Sequence, residues 1–165
     1  MRVSTAAVAA TLGATAMLAS LTGSAGATTG ADPEANGGSG LVRLDGQQEV
    51  PTPGDPDGSG RFRYVIKDDK LCYRLSVRDI APPTAAHIHI GQRGENGPVI
   101  VTLRTPPANG SVQDCIRAQQ DQTPADATRV LTFWELEGIK QNPFFFYTNV
   151  HNDPFPAGAI RGQLA

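Results

Sequence analysis

The three histidines of the chain are the residues whose types and spacing could do chemistry. His87 and His89 lie two positions apart in a β-prone segment, so both imidazoles are expected on one face of a sheet. His151 lies in a second β-prone segment, two positions after Asn149. If the two segments are neighbouring strands, three imidazoles converge, with Asn149 beside them as a residue that orients a ligand. Such a set suits copper or zinc and leaves one position open for another ligand.

The same histidines also have a structural interpretation. An imidazole can hydrogen-bond across neighbouring strands, and Asn149 could hold the turn that follows its own strand. Two alternatives therefore stay open. One is a copper or zinc site of His87, His89 and His151, with redox activity as its extension, and the other is a set of structural histidines.

The first 27 residues are typical of a secretory signal peptide. Arg2 is followed by an apolar run at about residues 6–21, and Ala25 and Ala27 form an A-x-A cleavage site. No second apolar run of membrane-spanning length follows, so we predict a secreted, extracellular protein without a transmembrane segment. We expect a disordered leader at residues 28–40 and one domain at residues 41–165.

Cys72 and Cys115 are the only two cysteines, and they lack the CxxC spacing of a zinc site. An even number of cysteines in an exported protein predicts a disulfide, and two cysteines allow one intramolecular pairing.

Alternating apolar and polar residues predict an antiparallel sheet. Residues 61–67 and 71–78 alternate on either side of a turn and predict a β-hairpin with one solvated face. Residues 98–103 are apolar on both faces, which predicts a central strand. One short helix is predicted from an N-cap at Thr123 to a C-cap at Gly138. Other strands are expected at 41–44, 86–90, 111–116, 144–151 and 159–164. The fold class is all-β, an immunoglobulin-like or Greek-key β-sandwich or barrel of about seven to eight strands with one short helix.

Composition excludes several functions. The formal net charge is −2, and lysines and arginines stand singly among acids, so we predict no nucleic-acid partner. No serine lies in a nucleophile-elbow context. Without a convincing catalytic set, we predict no enzymatic activity.

Three stretches carry a resemblance to a known family. They are GQQEVP at 46–51, AHIHIG with GENGPV at 86–99, and YTNVH with PAGAIRGQL at 147–164. In this order they resemble the CHRD domain family, first noticed in chordin, over about residues 41–164. The resemblance implies an extracellular immunoglobulin-like or related β-barrel domain with no general enzymatic activity. We therefore expect a secreted, non-catalytic β domain that binds an extracellular protein or cell-surface component or has a structural role. The alternative is the copper- or zinc-binding protein.

Overall fold

The computed structural model describes residues 38–165. The predicted signal peptide at 1–27 and residues 28–37 of the predicted leader lie outside the described residues. The end of that leader prediction is wrong, because Ser39 and Gly40 belong to the first strand. No helix within 38–165 is long and apolar enough to cross a membrane. The strands are β1 Ser39–Asp45, β2 Ser59–Lys67, β3 Lys70–Arg78, β4 Pro83–Ile90, β5 Val99–Thr102, β6 Ser111–Arg117, β7 Phe146–Asn152 and β8 Ile160–Gln163. The helix α1 is Phe133–Gln141, and short 3-10 turns occupy Gly46–Gln48 and Pro143–Phe145.

The eight strands form one antiparallel sheet that curves into a half-barrel. Their order is β5-β4-β7-β8-β1-β2-β3-β6. The ladder between the halves β5-β4-β7-β8 and β1-β2-β3-β6 contains one residue pair, Asp45 and Arg161. The predicted all-β fold with seven to eight strands and one short helix is therefore confirmed.

The predicted hairpin is present as β2 and β3. Tyr64 lies opposite Tyr73, and Arg63 lies opposite Arg74. The tyrosines are buried, whereas the arginines are exposed, because successive side chains of a strand point to opposite faces. The apolar face joins a core that both halves of the sheet share.

The prediction of a central strand at 98–103 is wrong. β5 is an edge strand, yet Ile100 and Val101 are both buried. Thr102 donates its backbone N–H to the carbonyl of Thr128 at 2.6 Å, so a loop covers this edge. A covered edge strand is apolar on both faces for the same reason as a central one.

The helix begins nine residues later than predicted, at Phe133 instead of just after Thr123. Thr132 is the N-cap: its hydroxyl accepts the N–H of Glu135 at 3.2 Å, and Glu135 accepts the N–H of Thr132 at 2.7 Å. This reciprocal capping box outcompetes the isolated cap signal at Thr123, whose N–H is bound instead by Asp126 within a turn. Gly138, the predicted C-cap, lies inside α1.

The two cysteines lie on neighbouring strands. Cys72 of β3 is directly opposite Cys115 of β6, and their sulfurs are at bonding distance. The link crosses the outer face of the sheet, since Cys115 is exposed.

Candidate metal centre

The strands that carry the histidines are direct neighbours. In the register of β4 and β7, His87 lies opposite Asn149, and Ala85 lies opposite His151. His151 is therefore the diagonal neighbour of His87, and its imidazole projects from the same face. His89 lies two positions further along β4, opposite Tyr147. The fold brings all three histidines together in one group.

The nitrogens of this group are at the spacing of a metal site. One ring nitrogen from each of His87, His89 and His151 lies within 4.8 Å of the others. Nδ1 of His87 is 3.2 Å from Nε2 of His151. Two nitrogens bound tetrahedrally to one zinc ion at about 2.0 Å would be roughly 3.3 Å apart. An ion between these side chains therefore requires little rearrangement of that pair.

Backbone carbonyls orient two of the three imidazoles. His89 donates Nδ1–H to the carbonyl of Gly97 at 2.9 Å, and His151 donates Nδ1–H to the carbonyl of Pro156 at 3.0 Å. Each bond fixes the tautomer and directs Nε2 towards the other imidazoles. In the metal-free group His87 donates Nδ1–H to Nε2 of His151, and a metal bound to both nitrogens would require this proton to move to Nε2 of His87.

Asn149 contacts Nε2 of His89. Its amide oxygen lies 3.1 Å from Nε2 of His89. The Gly97 carbonyl and the Asn149 amide oxygen thus face the two ring nitrogens of His89, and both contacts favour its protonated form and oppose the effect of burial on its pKa. A metal ion at Nε2 would replace the contact with Asn149.

Burial keeps all three imidazoles neutral at pH 7. It lowers the pKa of His87 to about 4, with contributions from the neighbouring His151 and His89. It also lowers the pKa of His89 and of His151. Neutral imidazole is the form that binds a metal, so protons compete with a metal only in acid.

An aromatic stack supports His89 from the side. The ring of Tyr147 lies parallel to the imidazole, with centroids 4.6 Å apart and planes 9° from parallel. Arg161 is 1% exposed, and its guanidinium carbon lies 3.4 Å from the centroid of Tyr147. The cation also helps to lower the pKa of His89. The stack therefore favours a fixed, neutral imidazole.

Glu49 is a buried carboxyl that the sequence analysis did not identify as unusual. It is 5% exposed, and its Oε1 has no hydrogen-bond partner among the described residues. Burial raises the pKa of Glu49 to about 7, while the charge of Arg161 and a hydrogen bond from Asn149 oppose the shift. Asn149 thus links Glu49 to the histidine group, because it contacts both Glu49 and His89.

Glu49 and Arg161 carry opposite charges near the first and last strands, yet they form no salt bridge within the described residues. The ion pairs within residues 38–165 do not include these two residues. Arg161 instead donates to the carbonyl of Gln92 at 2.9 Å and to Asn96 Oδ1 at 3.5 Å. Because Arg161 lies over Tyr147, its guanidinium is directed to the loop between β4 and β5, which contains Gln92 and Asn96.

The Glu49→Gln substitution is expected to stabilise the protein in a pH-dependent way. The folded pKa of about 7 lies above the usual 4.5, so the stability that the neutral carboxyl contributes is present below pH 4.5 and lost as pH rises through 7. A neutral glutamine avoids that loss. The variant should match the wild type near pH 4.5 and exceed it at pH 8 by up to about 3 kcal/mol.

Urea unfolding of both proteins at a series of pH values measures this difference. A difference that stays constant from pH 4.5 to pH 8 would show that Glu49 titrates normally. Histidine titration is common to both proteins and cancels.

The contacts that sequence analysis missed come from the backbone. The carbonyls of Gly97 and Pro156 belong to loops, and no side-chain type marks an acceptor of this kind. Glu49 lies outside the predicted strands, in the GQQEVP stretch at 46–51, where an acidic side chain is normally exposed. The only available signal for it was its place within the GQQEVP stretch.

Comparison with protein-family models gives one match. Residues 41–164 match the model of the CHRD domain, a match that indicates a β domain of non-catalytic type. No curated protein and no solved structure matches the chain. The matched range includes all three histidines, Asn149 and Glu49, and it covers most of the chain. The chain therefore belongs to the CHRD domain family.

Proposed function

We propose that this CHRD domain is an exported, non-catalytic metal-binding protein that holds one copper or zinc ion between His87, His89 and His151. The observation that carries the proposal is the orientation of the imidazoles. Two of them have Nδ1 tied to a backbone carbonyl, so Nε2 is the nitrogen that faces the group, where a metal would replace the contacts with Asn149 and His87. Hydrogen bonds of this kind are the usual support of metal-binding histidines.

Copper is the stronger of the two candidate ions. Imidazole ligands suit both metals, but Cu(II) binds a given nitrogen site more tightly than Zn(II). Three protein ligands leave one position for water or for a group from a partner. His87 and His151 are half-buried, so that position is on the side of the group that solvent reaches.

A second candidate is an extracellular domain in which the histidines are structural and the partner is a protein or cell-surface component. The observation that favours it is that five of the six ring nitrogens have a hydrogen-bonding partner without any metal. Only Nε2 of His87 has none within the described residues. The two candidates differ in whether the purified protein retains metal.

The decisive experiment is equilibrium dialysis of the purified protein against Cu(II) and, separately, Zn(II), followed by metal analysis. We expect about one ion per chain, because the group offers one set of three nitrogens. His87→Ala and His151→Ala should each weaken binding by about 100-fold or more, since even the loss of a supporting partner costs about 10–100-fold.

Thermal unfolding of the metal-free variants is the control for folding. His87 and His151 are half-buried, so their truncation should leave a cooperative transition. Wild-type protein that retains neither metal after dialysis would favour the structural histidines.

A further inference from the structure

Five of the six arginines on the outer face of the half-sheet β1-β2-β3-β6 gather away from the sixth, Arg117, which pairs with Asp69. We define the arginine face as Arg43 of β1, Arg61 and Arg63 of β2, and Arg74 and Arg78 of β3, all of which are exposed. Each is separated in sequence from the others by at least one buried residue, so the cluster is not visible as a basic run. Strand alternation and antiparallel register bring the five together.

The register opposes like charges directly. Arg43 lies opposite Arg61, and Arg63 lies opposite Arg74. Such pairs destabilise a sheet. The ion pairs within residues 38–165 are Arg117–Asp69 and Lys140–Glu137, so none of the five arginines is neutralised by a carboxylate there.

Asp45 is the one carboxylate among the residues that line the cleft beside the arginine face, and it has other partners. Asp45 accepts the backbone N–H of Gln48 at 3.2 Å and the amide N–H of the same residue at 3.0 Å. These bonds hold the carboxylate at the turn after β1, and it forms no salt bridge with any of the five arginines. The positive potential of the face is left for a ligand to neutralise.

The arginine face borders an open cleft of about 620 Å³. Hydroxyl groups lie between the guanidinium groups, and one of them orients a guanidinium: Arg74 donates from Nη2 to Oγ of Ser111 at 2.9 Å. Arginine forks and hydroxyls are donors that match the oxygens of an oxyanion group. The lining residues that carry these donors are Arg43, Arg61, Arg74, Arg78, Ser59, Ser76 and Ser111.

We propose that the arginine face binds a linear polysaccharide that carries sulfate groups. Neighbouring strands are about 4.8 Å apart and alternate residues of a strand about 6.8 Å apart, so the charges are spread over a surface and not focused on one point. A chain with repeated anionic groups can contact several of them at once, whereas a single anion cannot.

The choice of sulfate follows from the kind of cation. The cations that line the cleft are four arginines, whereas the lysines of the same strands, Lys67 and Lys70, lie outside it. Guanidinium is more weakly hydrated than the ammonium of lysine. A sulfate ester is a weakly hydrated monoanion with oxygens placed for a guanidinium fork.

A nucleic acid fits the face less well. Single-stranded nucleic acids bind through exposed aromatic platforms, and the large apolar side chains exposed on this face are Leu41 and Val65. The exposed aromatic residues lie on or beside α1 and the second 3-10 turn instead, and they are Phe133, Trp134, Phe144 and Phe145.

The test is binding of a fluorescent heparin octasaccharide to the purified full chain, measured by anisotropy at low and at about 0.5 M ionic strength. We expect binding at low salt that falls steeply as salt is added. Arg43→Ser with Arg61→Ser should weaken it by about tenfold or more, because two cleft-lining cations are lost.

Stability supplies a second readout. Because Arg43→Ser with Arg61→Ser also removes an opposed like-charge pair, this variant should unfold at the same temperature as the wild type or a higher one. Weak binding by this variant thus cannot be assigned to misfolding.

Lys67→Ser with Lys70→Ser is the matched control. These two lysines are also directly opposite each other, at the far end of the same strands and outside the cleft. Their loss removes the same net charge and should change affinity by less than about twofold.

Three results would overturn the proposal. The first is no binding of the octasaccharide at low salt, and the second is an equal loss of affinity in the lysine variant. The third is tighter binding of a single-stranded DNA oligonucleotide or of inorganic polyphosphate than of the octasaccharide, which would assign the face to another polyanion.

Discussion

Replacing both Cys72 and Cys115 with serine is expected to lower the free energy of unfolding by about 4 kcal/mol. The two residues are 43 positions apart, and a cross-link over a loop of this length removes considerable conformational entropy from the unfolded chain. For a domain of this size the loss corresponds to a decrease in melting temperature of about 15 °C.

Thermal and urea unfolding of the double variant and of oxidised wild type measure this effect. The single variant Cys115→Ser is the matched control, since it removes the same cross-link and should lose nearly as much stability as the double variant. A wild type that melts at the same temperature with and without a reductant would show that the bond does not stabilise the fold. Retained metal binding by the double variant is expected, because the sulfurs lie on β3 and β6 and the histidines on β4 and β7.

The second large effect is expected at Gly158, where the Gly158→Ala substitution should destabilise the fold by about 3 kcal/mol. Gly158 has φ of +150°, a region that residues with a side chain rarely adopt. A methyl group there would also overlap Oε1 of the buried Glu49. Strain and overlap therefore act together.

Gly94→Ala separates the two contributions. Gly94 also has a positive φ, +82°, but a methyl group there would meet nothing within 4 Å. This variant should lose only about 1 kcal/mol, from backbone strain alone. Urea unfolding of both variants gives the comparison, and equal losses would show that the overlap with Glu49 carries no energy.

The double variant Glu49→Ala with Gly158→Ala tests the overlap directly. Removing the carboxylate makes room for the methyl group, so the two substitutions should be less destabilising together than the sum of their separate effects. Strict additivity would contradict the packing of Gly158 against Glu49.

The alternation of apolar and polar residues was sufficient to predict the hairpin of β2 and β3, because one face of each strand is buried and the other solvated. The spacing of His87 and His89 likewise predicted a shared face. That β4 and β7 are neighbours depends on long-range pairing, which no local pattern specifies. From the sequence, the convergence of the histidines could therefore be predicted only if their two strands were assumed to be neighbours.

Other features were missed because the deciding interaction is distant in sequence. The edge strand β5 reads as a central strand because a loop near Thr128 covers it. The arginine face reads as dispersed charge because register, not sequence proximity, gathers Arg43 with Arg61 and Arg63 with Arg74. The capping box of Thr132 and Glu135, in contrast, was visible in the sequence and is the better signal for the start of α1.

We propose that His87, His89 and His151 hold one metal ion. The most direct test is a Cu(II) spin-resonance spectrum of the purified protein after loading with copper and removal of excess metal. We expect one bound copper per chain with hyperfine structure from coordinated nitrogens, and the loss of that signal in His89→Ala. Protein that retains no copper, or a spectrum that is unchanged when all three histidines are replaced by alanine, would contradict the claim and make the histidines structural.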